Sequence, residues 1–60
     1  MTKYSTVLVE PNCTTMYYTE DIEEAEMLEY KIRNEYRIES SFTIGEIDGD
    51  EYTVVFNVEE

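Results

Sequence analysis

Apolar and polar positions divide this 60-residue chain into four short extended runs around one helical stretch. Lys3 to Glu10 (KYSTVLVE) is rich in β-branched and aromatic side chains and predicts a strand. The consecutive Val7, Leu8 and Val9 point to a central strand, or to one covered on both faces at its far end. Pro11 has no N–H to donate and ends the ladder. Thr14 to Tyr18 (TTMYY) has strand composition again, so the two runs predict a hairpin turning through Pro11–Cys13.

Glu20 to about Ile38 predicts a helix. Thr19 is a candidate cap, its hydroxyl accepting from a first-turn N–H, and Asp21 to Glu24 offers a capping box as the alternative. Acids crowd the first turns and bases (Lys31, Arg33, Arg37) come late, the polarity that the helix macrodipole favours at both ends. Ile22, Ala25, Leu28, Ile32 and Tyr36 share one side at helical spacing and form the predicted core stripe. Glu29 with Arg33, and Lys31 with Glu35, are four apart and predict surface pairs.

Phe42 to Ile47 and Glu51 to Val58 predict a second hairpin around Asp48-Gly49. A two-residue loop would pair Phe42 with Val55 and Ile44 with Thr53, splitting the apolar positions between two faces. A three-residue loop, Ile47-Asp48-Gly49, gathers Phe42, Ile44, Tyr52, Val54, Phe56 and Val58 on one face, with Gly49 at the left-handed position of a G1 bulge. The three-residue loop is therefore expected, leaving Thr43, Ile47, Thr53, Val55 and Asn57 on the other face. The fold class that follows is α+β, a small two-layer sandwich of ββαββ order. Its sheet is antiparallel or mixed, one helix packs on one face, and residues 1–60 form a single domain.

Charge changes this picture most. The chain holds 15 Asp and Glu against 4 Lys and Arg, no His, and a net charge of −11. Such a chain repels phosphate instead of exchanging counterions with it, so direct nucleic-acid binding is excluded, and an anionic membrane surface is a poor partner. Apolar residues make up 42% and aromatics 13%, enough for a folded domain and not a disordered one. At this size stability is marginal, and a homodimer packed through a sheet edge or face would relieve it. The sequence carries no signal-peptide pattern and no span of roughly 18 apolar residues, and reads as cytoplasmic.

Catalytic and metal chemistry find little support. Cys13 is the only cysteine and has no histidine to activate it, so it reads as a small buried or half-buried side chain. Asp48, Asp50 and Glu51 around Gly49 lack the spacing of an EF-hand loop and read as a solvated turn. Paired carboxylates could do acid–base work, but a 60-residue chain has little room for an enzyme-sized pocket. No enzyme, cofactor or metal is expected.

The acids themselves are the remaining signal. Glu20, Asp21, Glu23, Glu24, Glu26, Glu29 and Glu35 lie along the predicted helix. Their number is within a factor of two of the phosphates that one side of B-DNA presents over about 25–30 Å, at roughly one charge per 1.7 Å of axis. A second cluster, Glu46, Asp48, Asp50 and Glu51, marks the hairpin tip, and Glu59 and Glu60 end the chain. An excess of eleven is beyond the about 2–8 that solubility asks of a small domain. On the helix's outer side Met27, Tyr30 and Asn34 join Glu20 and Glu23. This mixture supplies charge for steering and apolar anchors for affinity. The expected partner-binding residues are Glu20, Asp21, Glu23, Glu24, Glu26, Met27, Tyr30, Asp48, Asp50 and Glu51.

In size, charge and lack of catalytic groups the chain resembles the small acidic DNA-mimic inhibitors that phages make against host DNA-binding proteins. These include inhibitors of uracil-DNA glycosylase, of restriction or CRISPR nucleases, and of HU-type nucleoid proteins. The resemblance covers composition and size over the whole chain and carries no motif. It implies a protein that occupies the nucleic-acid site of a basic host protein and competes with DNA there. The host protein would be a nucleoid-associated protein, nuclease, repair enzyme or polymerase, met in the host cytoplasm. The alternative is an interaction module that is not a mimic, an anti-factor binding a transcription or replication protein through a Tyr-rich surface (six tyrosines). A third reading gives the charge no role beyond solubility.

Overall fold

The structure, a computed structural model, describes residues 3–46 and 51–60. Strands β1 (Tyr4–Val9) and β2 (Thr14–Thr19) form the first hairpin, closed by a bond from the Glu10 N–H to the Cys13 carbonyl at 2.8 Å. Helix α1 (Ile22–Glu35) follows, then β3 (Ile38–Glu46) and β4 (Glu51–Val58). The sheet order is β2-β1-β4-β3. Each hairpin is antiparallel, and β1 and β4 run parallel at the centre, so the sheet is mixed. The run Val7-Leu8-Val9 thus sits in a central strand, as its composition predicts.

The helix is capped two residues later than Thr19. Asp21 is the N-cap, its carboxylate accepting from the Glu23 N–H at 3.0 Å. Thr19 instead ends β2 opposite Tyr4, and its hydroxyl is buried without a hydrogen-bond partner among the described residues. The helix also stops short of Ile38. Tyr36 is extended (φ −123, ψ 152), and the Glu59 N–H donates to the Arg37 carbonyl at 2.7 Å. Pairing with β4 therefore claims this segment before the helical period can run on.

One face of the sheet meets the helix. Leu8, Ile32, Val54 and Phe56 are the buried cluster, with Leu28, Tyr36, Ile38, Tyr52 and Val58 packed against it. Ala25 is fully buried, and its small side chain lets the helix approach the sheet closely. Ile22, expected in the core stripe, is 39% exposed at the helix start.

The second hairpin corrects the expected register. Phe42 pairs with Val55 and Ile44 with Thr53, so these two side chains lie on the face opposite Tyr52, Val54 and Phe56. This is the register that the two-residue loop gives, and it runs unbroken from Ser40 opposite Asn57 to Glu46 opposite Glu51. A bulge between Ile38 and Ser40 then shifts the pairing by one residue and reverses the alternation. Ile38 can then pack inward across from Val58 while Phe42 and Ile44 turn outward. The helix backbone lies nearest β1 and β2, and β3 is met at its margin, where Arg33 reaches the Ser41 hydroxyl. The helix side of β3 offers large side chains little cover and carries Ser41, Thr43 and Gly45, all exposed. Thr43, expected on the open face, is among these. Ile47, Asp48 and Gly49, with the proposed G1 bulge, lie outside the described residues.

The open face has a plain composition. By strand register, Tyr18, Ser5, Thr53 and Ile44 form one row across it. Met16, Val7, Val55 and Phe42 form the next, and Thr14, Val9, Asn57 and Ser40 the last.

Candidate functional site: the acidic helix layer

The helix is 14 residues long, about 21 Å. Glu20, Asp21, Glu23, Glu24 and Glu26 are all exposed, within about 10 Å of rise at its start and just before it. B-DNA would present about six phosphates over that length, roughly half of them to one side. The local carboxylate count, five against about three phosphates, is therefore within a factor of two of a duplex face. Asp21 commits one oxygen to the cap. Glu35 is exposed at the far end of the helix.

Met27 and Tyr30 stand out from this layer at 71% and 60% exposure, as the wheel predicts. Shallow grooves flank Tyr30. One is lined by Glu26, Glu29, Tyr30, Arg33 and Asn34, and the other by Met27, Tyr30, Lys31, Asn34 and Glu35. One helix face thus builds an apolar ridge with Glu26, Glu29 and Arg33 on one side and Lys31 and Glu35 on the other.

Glu29 does not belong to the array. It is half-buried and accepts a hydrogen bond from the Tyr52 hydroxyl at 3.2 Å. Burial raises its pKa, only partly opposed by the Tyr52 bond and by Arg33. Tyr52 is pushed up to about 12, chiefly by burial and then by the Glu29 charge. Arg33 also turns toward the sheet. Its guanidinium lies 4.9 Å from the Phe56 ring centroid and donates to the Ser41 hydroxyl at 3.2 Å. Both members of the expected Glu29–Arg33 surface pair therefore serve the helix–sheet junction.

The other expected site residues divide. Glu51 is exposed at the start of β4, and Asp48 and Asp50 lie outside the described residues. Parallel pairing of β1 with β4 assembles a cluster that linear spacing hides. Glu10, Glu39, Glu59 and Glu60 line one groove with Val9, Pro11, Asn57 and Val58. Only Glu59 and Glu60 are neighbours in sequence. The negative charge of Glu10 raises the pKa of Tyr36, the first of several causes. Among the described residues no group of carboxylates or thiol converges closely enough to hold a metal. Cys13 is exposed, against expectation, with its sulfur 3.8 Å from a Glu10 carboxylate oxygen. It sits at the hairpin turn.

The tyrosines divide between the layers, with Tyr36, like Tyr52, packed against the core. Tyr4 is buried, its ring centroid 4.9 Å from that of Tyr52, and both face the helix. Tyr17 lies on the helix side of β2, Tyr18 on the open face, and Tyr30 on the helix ridge.

Comparison with protein-family models, with curated proteins and with solved structures gives no match for this chain. Among the described residues no helix is long and apolar enough to cross a membrane.

Proposed function

We propose that this protein is a DNA mimic. It occupies the nucleic-acid site of a basic DNA-binding protein and inhibits it by competing with DNA. The observation that carries the reading is the segregation of charge. Carboxylates crowd the first turns of α1 at a density within a factor of two of a duplex face, beside the exposed Met27 and Tyr30, while the open sheet face has none across its three rows. Glu20, Asp21, Glu23, Glu24 and Glu26 stand in for phosphates against Lys and Arg of the target. Met27 and Tyr30 add desolvated contact that phosphates lack. The mechanism needs no catalytic group and no cofactor.

Competition is read directly. A labelled duplex is bound to a nucleoid-associated protein, a uracil-DNA glycosylase, a nuclease or a polymerase, and the chain is titrated in. Release of duplex from one of them is expected, with an apparent affinity that falls steeply as salt rises. Replacing Glu20, Glu23 and Glu26 together by Lys should abolish release. Unimpaired release by that triple variant at low salt, or no release from any of the four, would overturn the reading.

A further inference from the structure

We infer that the open face of the sheet is a self-association surface, occupied by the same face of a second copy of this chain. Each of the four strands places three residues in its rows, and none is charged. Charged residues are 32% of the chain, so about four would fall there by composition alone. Their exclusion is matched by apolar exposure. Met16, Tyr18, Phe42 and Ile44 are 51%, 59%, 50% and 56% exposed, and Val7 and Val55 fill the row between Met16 and Phe42. Contiguous apolar area of this kind marks an interface.

Charge selects the occupant. A basic partner would find nothing here to pair with, since the carboxylates lie on the helix layer and the sheet ends. Two copies at −11 each repel over most approaches. Meeting through these faces keeps both acidic helices on the outside, separated by the two sheets. Lys3 and Glu51 beyond one end, and Glu59 beyond the other, supply a polar rim. The size fits a weak pairing. Four strands about 4.8 Å apart and five residues of about 3.3 Å give a footprint of roughly 19 by 17 Å, so two such faces present about 650 Å² of flat area. That lies below the about 1,200 Å² of a stable interface and in the range of transient association. The pairing is therefore a modest one, sensitive to concentration and salt.

The salt response separates this inference from the DNA-mimic reading, on which it does not depend. Screening weakens mimic–target binding but strengthens association of two like-charged copies. Sedimentation equilibrium of the whole chain from micromolar to millimolar concentration is the test. Mass should rise from 7.1 kDa toward twice that value, and association should tighten at least about tenfold between about 0.1 M and about 1 M salt. Phe42→Lys and Met16→Lys replace exposed side chains and should leave the circular dichroism unchanged while holding the chain monomeric. Each also lowers the net negative charge, so added repulsion cannot explain the loss. A wild-type chain that stays at 7.1 kDa in high salt leaves the face to another partner or to none, and overturns the inference. So does a dimer that survives both substitutions, or one broken by Met27→Lys or Tyr30→Lys instead.

Discussion

Tyr52 and Glu29 show how a single contact ties the charged layer to the core. The tyrosine ring belongs to the sheet's buried face, and its hydroxyl reaches the one helix acid that is not fully outside. Both groups have pKa values raised by folding, so each favours its protonated form in the folded state. For Tyr52 the stabilisation is complete below its unfolded value near 10 and is lost as pH rises through about 12. For Glu29 it is present below the unfolded value and lost as pH climbs through the raised one. Above that raised value the ionised carboxylate opposes folding, and Glu29→Gln removes it while the amide oxygen still accepts from Tyr52. That variant is expected to be at least as stable as the native chain to urea. In a near-ultraviolet tyrosinate titration, one of the six tyrosines should ionise last, near 12, and should move part of the way back toward 10 in Glu29→Gln. The move is partial because burial, the largest cause, remains. A Tyr52 that titrates with the others would show that the contact does not form.

Edge strand β3 is the element where local pattern and fold part company. Its apolar residues Ile38, Phe42 and Ile44 have the same parity and read as one face, yet the bulge at Glu39 sends the first inward and the others outward. Gly45 shows how closely β3 and β4 approach beyond it. Its φ is +105°, and a Cβ there would sit 3.2 Å from the Glu51 carbonyl oxygen and 3.3 Å from the Tyr52 Cα. Both neighbours are backbone and cannot give way as a side chain would. Gly45→Ala is accordingly expected to cost about 1–3 kcal/mol, through left-handed strain and crowding together. Thermal denaturation followed by far-ultraviolet circular dichroism measures it, and an unchanged midpoint would mean that this backbone conformation is not required. The helix, by contrast, was largely legible. Its acid-to-base polarity and apolar spacing are local properties, and only its ends depend on what packs beside them.

Across the whole molecule, a small core has to offset strong self-repulsion. The principal extents are 33 × 18 × 17 Å, and fifteen acids share that small surface with four bases. The fold should therefore gain stability when charge is screened or neutralised. Raising salt from about 0.1 M to about 1 M, which shortens the Debye length from about 10 to about 3 Å, is expected to raise the melting midpoint by several degrees. A midpoint indifferent to sodium chloride would place the carboxylates too far apart to repel. The same experiment at fixed salt over a range of protein concentration separates screening within one copy from association of two, since only association depends on concentration.

Read alone, the sequence determined the element order, the helix with its outer ridge of Met27 and Tyr30, the first hairpin and the strongly negative surface. These rest on composition and on periods of two and 3.6 residues, which neighbours along the chain establish between themselves. Three things waited for the tertiary structure. The mixed sheet, with β1 beside β4, joins segments more than forty residues apart. Glu10, Glu39, Glu59 and Glu60 become one cluster only because of that pairing. The uncharged face depends on a one-residue register choice, because shifting β3 by one residue exchanges Phe42 and Ile44 for Ser41 and Thr43. Local patterning rates those two registers by how coherent each apolar surface looks. The fold settles them by where Ile38 finds cover and how far across the sheet one helix extends.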